Sequence, residues 1–293
     1  MENSSQITYF TLSAYAEMGG AKYLYFMIVL LLFIVIIFLN VVLITVICVE
    51  RSLHEPMYYF LCSLATNGVY GSIGLFPAVL VNVLSDTHEI SRVSCFVQIF
   101  ILHTYGCGEF TNLAVMAYDR YVSICHPLNY HKMMSTVRVY GLIALTWVFS
   151  VGHFFVTITL TVRMQLCRQI MEKIYCVNYS IVKLACEDIS ALNTYGLISM
   201  IYTTFPQLFL IVYSYAKILR VCLKASKESQ TKALNTCTSH IITLVNFSFG
   251  VFFELIQNRC DMSSVPHAVQ IMLSVYFIIF PPLLNPIIYG FNC

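Results

Sequence analysis

Apolar residues fall in seven blocks separated by short polar stretches, each block close to or above the ~20 residues that a helix needs to cross a bilayer core. The blocks run approximately from Tyr23 to Val49, Met57 to Leu84, Cys95 to Ile124, Val139 to Thr161, Ala191 to Val221, Leu234 to Ile256 and Ala268 to Tyr289. The pattern predicts an all-α membrane protein, a seven-transmembrane helix bundle. No polar stretch reaches the ~50 residues of a separate domain, so residues 1–293 read as a single seven-transmembrane domain.

Composition agrees. Hydrophobic residues make up 59% of the chain and charged residues 10%, against about a quarter charged in soluble domains; mean hydropathy is +0.78. The net charge of +2 gives no reason to invoke nucleic acid, and membrane lipid is the surrounding partner. Residues 1 to 20 lack the basic and apolar regions of a cleavable signal peptide, so the first span is expected to act as the targeting signal and to stay.

Between spans five and six, Lys217, Arg220, Lys224, Lys227 and Lys232 face Glu228 alone. Such a basic bias marks the cytosolic side, which puts the amino terminus outside the cell. The sequons at Asn3 and Asn178 then fall on the outer side as candidate glycosylation sites, whereas Asn246 lies within a span.

Cys48, Cys62, Cys107, Cys125, Cys222 and Cys237 lie in spans or near their cytosolic ends and read as small buried residues. Cys95, Cys167, Cys176 and Cys186 lie outside, where an oxidising compartment permits bridges. Four cysteines allow three pairings. Joining Cys95 to Cys176 would hold the long outer loop as a lid and leave Cys167 for Cys186; free or metal-binding thiols are the alternative.

Ionisable groups inside hydrocarbon are costly and mark function by default. Glu109, in span three, could be protonated, hold a cation with Asn67 and Asn285, or bond helix to helix. Glu254 lies near the outer end of span six. Asp119 and Arg120 sit at the inner end of span three, where a guanidinium can pair locally or meet a cytosolic partner. Pro286 frees a backbone carbonyl in span seven, and Asn285 is placed to occupy the gap.

No enzymatic motif is present: there is no HExxH, no Gly-rich phosphate loop, no GxSxG and no paired CxxC. The chain reads as a non-enzyme without a cofactor. His103 and Cys107, four apart, could share a helix face, but with no third ligand in view they read as pocket lining, not a metal site. His240 reads as a hydrogen-bonding group. The two halves show no convincing repeat of the kind many transporters carry.

Five stretches together resemble the odorant receptors among the rhodopsin-like G-protein-coupled receptors. They are Leu53 to Tyr58; Met116 to Val122, MAYDRYV; Ser214-Tyr215; Lys232 to Cys237 with Ser239-His240; and Pro282 to Tyr289. The resemblance covers nearly the whole chain. It implies a receptor that binds a small-molecule odorant and activates a stimulatory olfactory heterotrimeric G protein, raising cyclic AMP, in the plasma membrane of olfactory sensory cilia.

The same resemblance implies an odorant cavity between the outer halves of spans three, five and six. It would be lined by Leu102, His103, Gly106 and Cys107; by Ser199, Met200 and Thr203; and by Val251, Phe252 and Leu255, with Arg259 at the outer rim. It assigns the bridges Cys95 to Cys176 and Cys167 to Cys186. It casts Asp119, Arg120 and Tyr121, with Tyr215, Asn285, Pro286 and Tyr289, as the G-protein switch.

Two departures matter. Span two has no aspartate in Ala65-Thr66-Asn67-Gly68, which weakens a sodium site at Glu109. The chain ends at Cys293, four residues past Tyr289, so the amphipathic helix and basic tail that the resemblance implies are missing, and a shortened carboxy terminus is expected. The alternative functions are a non-olfactory chemoreceptor, or a transporter or non-signalling membrane protein.

Overall fold

A computed structural model describes residues 7–16, 19–186, 188–260, 262 and 264–290. Seven long helices form the bundle: α1 (Lys22–Val49), α2 (Pro56–Leu84), α3 (Arg92–Cys125), α4 (Thr136–Val162), α5 (Ser190–Cys222), α6 (Lys227–Arg259) and α7 (His267–Gly290). Their boundaries follow local chemistry. Pro56 opens α2 in the first turn, where its missing N–H costs nothing. The Ser91 hydroxyl caps α3 by accepting the Ser94 N–H at 3.1 Å. Asp188 accepts from both the backbone and the hydroxyl of Ser190 at the start of α5, and these bonds hold its carboxyl below the usual range.

Six of the long helices are apolar enough in composition to span a bilayer. The exception is α3, which packs against α2, α4 and α5 and also touches α6 and α7. Surrounded by protein, it buries Gln98, Thr104, Glu109, Asn112 and Asp119; α2 and α7 supply partners to the first three, the Gly108 carbonyl takes Asn112, and Arg120 and Tyr130 hold Asp119. The other helices turn apolar stripes outward. On α5, Ile198, Ile201, Phe205, Phe209 and Val212 are all exposed while Thr203, Gln207, Ile211, Ser214 and Ile218 face inward. Both stripes repeat every three or four residues.

Close helix approach requires glycine at Gly71 and Gly250, among other positions. A Cβ at Gly71 would lie 2.5 Å from the Tyr105 ring, and one at Gly250 would lie 2.7 Å from Phe277. These positions draw α2 onto α3 and α6 onto α7.

The outer end carries a small sheet that apolar-block reading does not reveal. Strand β1 (Tyr9–Leu12) pairs antiparallel with β2 (Glu89–Ser91) and parallel with β3 (Ile170–Met171), placing Phe10 opposite Ile90 and Thr11 opposite Ile170. Alternation along β1 turns Phe10 and Leu12 into the core. Tyr15 follows, donating to the Ile174 carbonyl at 2.6 Å and stacking on His88. His88 has a left-handed φ of 50°, stabilised by its Nδ1–H, which donates to the Asn82 carbonyl at 2.9 Å. The amino-terminal segment is thereby an integral part of the outer core.

Candidate functional site

The site is built in three tiers along the bundle. At the outer tier, Cys95 at the start of α3 bonds Cys176 in the loop before α5, and Cys167 bonds Cys186 within that loop. The loop is seated further by two bonds. The Cys176 N–H donates to Gln98 Oε1 at 2.8 Å, and the Tyr175 hydroxyl reaches α7 to donate to Ser274 O at 2.8 Å. Burial, with Glu254 beside it, raises the Tyr175 hydroxyl well above its ordinary pKa. Asn178, half-buried, opens a short helix in this loop; Asn3 lies outside the described residues.

Below the loop, α3, α4 and α5 meet along a polar seam. The His103 ring stacks on Phe154 with centroids 4.0 Å apart, and His153 lies 6.0 Å beyond. His153 Nε2 is 3.2 Å from the Ser199 hydroxyl. One turn along α5, the Thr203 hydroxyl donates back to Ser199 O at 2.9 Å. Thr111, one turn after Cys107, donates to the Cys107 carbonyl and accepts from Gln207 Nε2, both at 2.8 Å. His103, Cys107, Ser199 and Thr203 are thus brought together, with Met200 half-buried on the same helix.

The remaining residues anticipated for the cavity are scattered. Leu102 is buried against α2, near Gly74, and Gly106 faces Phe277 of α7. Val251 packs on the inner apolar cluster, and Leu255 is half-buried. Arg259 is exposed, donating to Asn193 Oδ1 at 2.8 Å with its guanidinium 5.0 Å from the Tyr179 ring. Phe252 is a correction: it is 59% exposed on the outer surface of α6, because the adjacent Val251 takes the inward position and successive helical residues point about 100° apart. His153 was not anticipated, although an ionisable side chain in mid-span is itself a signal.

The middle tier is a polar hub. Glu109 accepts from Asn67 Nδ2 at 2.9 Å and Asn285 Nδ2 at 2.8 Å, and so bonds α3 to both α2 and α7. No cluster of three or more metal-ligating side chains occurs among the described residues. The carbonyl freed by Pro286 is that of Pro282, and Asn40 of α1, not Asn285, occupies the gap: its Nδ2 donates to Pro282 O at 2.7 Å and to Ile36 O at 2.8 Å. Likewise Pro281 frees the Phe277 carbonyl, which accepts the Tyr105 hydroxyl at 2.9 Å. Two helix-breaking residues are therefore answered by side chains from other helices.

At the inner tier, Arg120 pairs with the buried Asp119 at 2.7 Å, and Tyr130 donates to the other Asp119 oxygen at 2.9 Å. Burial first and the Asp119 carboxylate second push the Tyr130 hydroxyl far above its usual pKa. Tyr121 meets His126 at 3.0 Å. His240 of α6 joins three helices: its Nε2 lies 2.9 Å from Leu113 O of α3, and its Nδ1 lies 2.6 Å from the Tyr215 hydroxyl of α5. Since a carbonyl only accepts, Nε2 carries the proton and Nδ1 accepts from Tyr215. Tyr289 is buried in the adjoining apolar cluster. Asp119, Arg120, Tyr121, Tyr215, Asn285 and Tyr289 thus line the bundle from hub to cytosolic end.

A sequence profile described as "Olfactory receptor" matches residues 29–293. Human olfactory receptor 51G2 is 36% identical over 255 residues, spanning 86% of this chain and 80% of that protein. Human olfactory receptor 52Z1P is 37% identical over 254 residues, spanning 86% of this chain and 84% of that protein. The crystal structure of squid rhodopsin superposes with a TM-score of 0.73 at 18% identity, over 94% of this chain and 80% of that one, a likeness of fold.

Proposed function

The chain belongs to the olfactory receptor family, multi-pass G-protein-coupled receptors of the plasma membrane that sense small molecules and are not enzymes, and on that premise we propose how it does so. An odorant binds in the outer half of the bundle along the seam of His103, Cys107, Ser199 and Thr203, with His153 added to that set and Met200 and Leu255 at its margins. Binding favours the state in which the cytosolic end of α6 moves away from α3, and it does so by the odorant's differential affinity for that state. The opened end engages a stimulatory olfactory G protein and raises cyclic AMP in sensory cilia. The ligand undergoes no chemistry.

The observation that carries this reading is His240. A single buried imidazole spans α3, α5 and α6, and Arg120 is held by Asp119 beside it. The His240 contacts are reversible hydrogen bonds across the seam that must part, whereas the Asp119–Arg120 pair lies within α3 and holds the guanidinium at its inner end. Hydroxyl and imidazole groups flanked by Met200, Leu255 and Phe154 suit a small ligand that carries a polar group on an apolar body.

The test is cyclic AMP in cells expressing the chain with the olfactory stimulatory G protein, challenged with an odorant panel. Odorant-dependent rises are expected, and Thr203→Leu, which fills the seam, should raise the half-maximal concentration of responding odorants about tenfold, equivalent to 1.4 kcal/mol. Unchanged responses to every active odorant at equal surface expression would refute the placement of the ligand.

A further inference from the structure

A cavity of about 610 Å³ lies on the outer face, between the loop preceding α5 and the outer ends of α6 and α7. None of the residues of the α3–α5 seam lines it. Its volume falls within the usual range for small-molecule sites, about 300–1,000 Å³. One wall is β3, fixed by pairing to β1. The same loop is tied down by the Cys95–Cys176 bond and by Tyr175 on α7. The cavity is therefore pre-formed.

Its lining is asymmetric in charge. Among the described residues, Arg168, Lys173 and Lys183 line it with one carboxylate, Glu172. Arg168 and Lys183 are exposed at the rim, where they act on approach. Lys173 sits deeper, its side chain only 17% exposed, with Nζ 3.8 Å from Glu254 Oε1. That separation exceeds the ~2.7–2.9 Å of a charge-assisted hydrogen bond, so the ammonium, with three donors, retains capacity for a further oxygen anion. Ile174, Leu184 and Ile271 supply apolar surface to the same lining.

We propose that this vestibule is a second ligand site, selective for amphipathic organic anions, in which Lys173 takes the anionic head and Ile174, Leu184 and Ile271 receive the apolar body. Glu254 competes with the ligand for Lys173. The site is separate from the α3–α5 seam and does not rest on G-protein coupling. Its distinguishing signature is that changes to the two members of the Lys173–Glu254 pair act in opposite directions.

The experiment is direct binding to the full chain in nanodiscs, in excess of empty nanodiscs, using naphthalene-2-sulfonate and its neutral analogue naphthalene-2-sulfonamide. The sulfonate should bind about tenfold more tightly than the sulfonamide, and its affinity should fall as ionic strength rises. Lys173→Gln should weaken the sulfonate about tenfold, Lys173→Arg should retain it within about threefold, and Glu254→Gln should tighten it about threefold. The surface double variant Arg168→Gln/Lys183→Gln should weaken it at low salt and flatten the salt dependence. Equal binding of sulfonate and sulfonamide would overturn the proposal, as would wild-type affinity in a folded Lys173→Gln protein. If Lys173→Gln does not fold, unchanged low-salt affinity in the double variant would overturn it. These readouts are independent of cyclic AMP, so their failure leaves the signalling function standing.

Discussion

Asn40 offers a quantitative test of how the bundle tolerates its prolines. Pro286 cannot donate to the Pro282 carbonyl one turn earlier, and Asn40 Nδ2 supplies the missing donor at 2.7 Å. Asn40→Ala leaves that carbonyl buried and unanswered. The penalty for an orphaned buried group is about 1–3 kcal/mol, whereas polar contacts measured within membrane bundles average about 0.6 and reach about 1.7 kcal/mol. Two bonds are lost, to Pro282 O and Ile36 O, but the Ile36 carbonyl also has its own helical donor. The overlap of the two ranges gives about 1–1.7 kcal/mol. At about 2–4 °C per kcal/mol, the unfolding midpoint of purified receptor should fall by about 2–7 °C.

The mechanism, and not merely the loss, is isolated by a second change. Pro286→Ala restores a backbone N–H that can bond Pro282 O directly. In that background Asn40→Ala should cost about 1 kcal/mol less, a coupling within the range expected of groups sharing one partner. The assay is a double-mutant cycle on thermal midpoints followed with a thiol-reactive fluorophore. Equal costs of Asn40→Ala in both backgrounds would refute the assignment of Asn40 to the carbonyl that Pro286 frees.

Two further expectations follow from the same geometry. By loop-closure entropy the Cys95–Cys176 bond, joining residues 81 positions apart, should contribute about 4.5 kcal/mol and Cys167–Cys186, 19 positions apart, about 3.2 kcal/mol; Cys176→Ser should therefore reduce surface expression more than Cys167→Ser, and the reverse order would contradict it. Tyr215→Phe removes the donor to His240 Nδ1 and should destabilise the closed state by about 0.5–1.5 kcal/mol. That should raise basal cyclic AMP without odorant at equal surface expression, and unchanged basal signalling would count against His240 as a clamp.

The seven helices were legible because blocks of bilayer length are separated by short polar stretches, with a breaker or cap at some boundaries, as at the starts marked by Pro56 and Ser91. The start of α6 was not: it begins at Lys227, several residues before the apolar block at Leu234, since a helix continuing beyond the bilayer needs no apolar sequence. Strand β1 escaped notice because four residues of alternation carry little signal without their partners 80 and 160 residues away. Hub chemistry was partly visible. Glu109, Asn67 and Asn285 drew attention as polar groups in hydrocarbon, but only the three-dimensional structure gives Asn40 its role, because that role depends on a proline 246 positions later.

Cavity residues were the least legible part for a physical reason. A membrane helix is apolar toward lipid as well as toward its neighbours, so the periodicity that separates inside from outside in soluble proteins is weak. Val251 and Phe252 are equally hydrophobic, yet Val251 packs on the inner apolar cluster and Phe252 faces outward.

The most direct test of the central claim is nucleotide exchange on a purified stimulatory olfactory G protein, catalysed by this receptor in nanodiscs with and without odorant. The account predicts that at least one member of a broad odorant panel accelerates exchange through the wild-type chain, and that Arg120→Ala abolishes the acceleration while both disulfides remain intact. Exchange untouched by every odorant with correctly bridged receptor, or undiminished acceleration through Arg120→Ala, would contradict it.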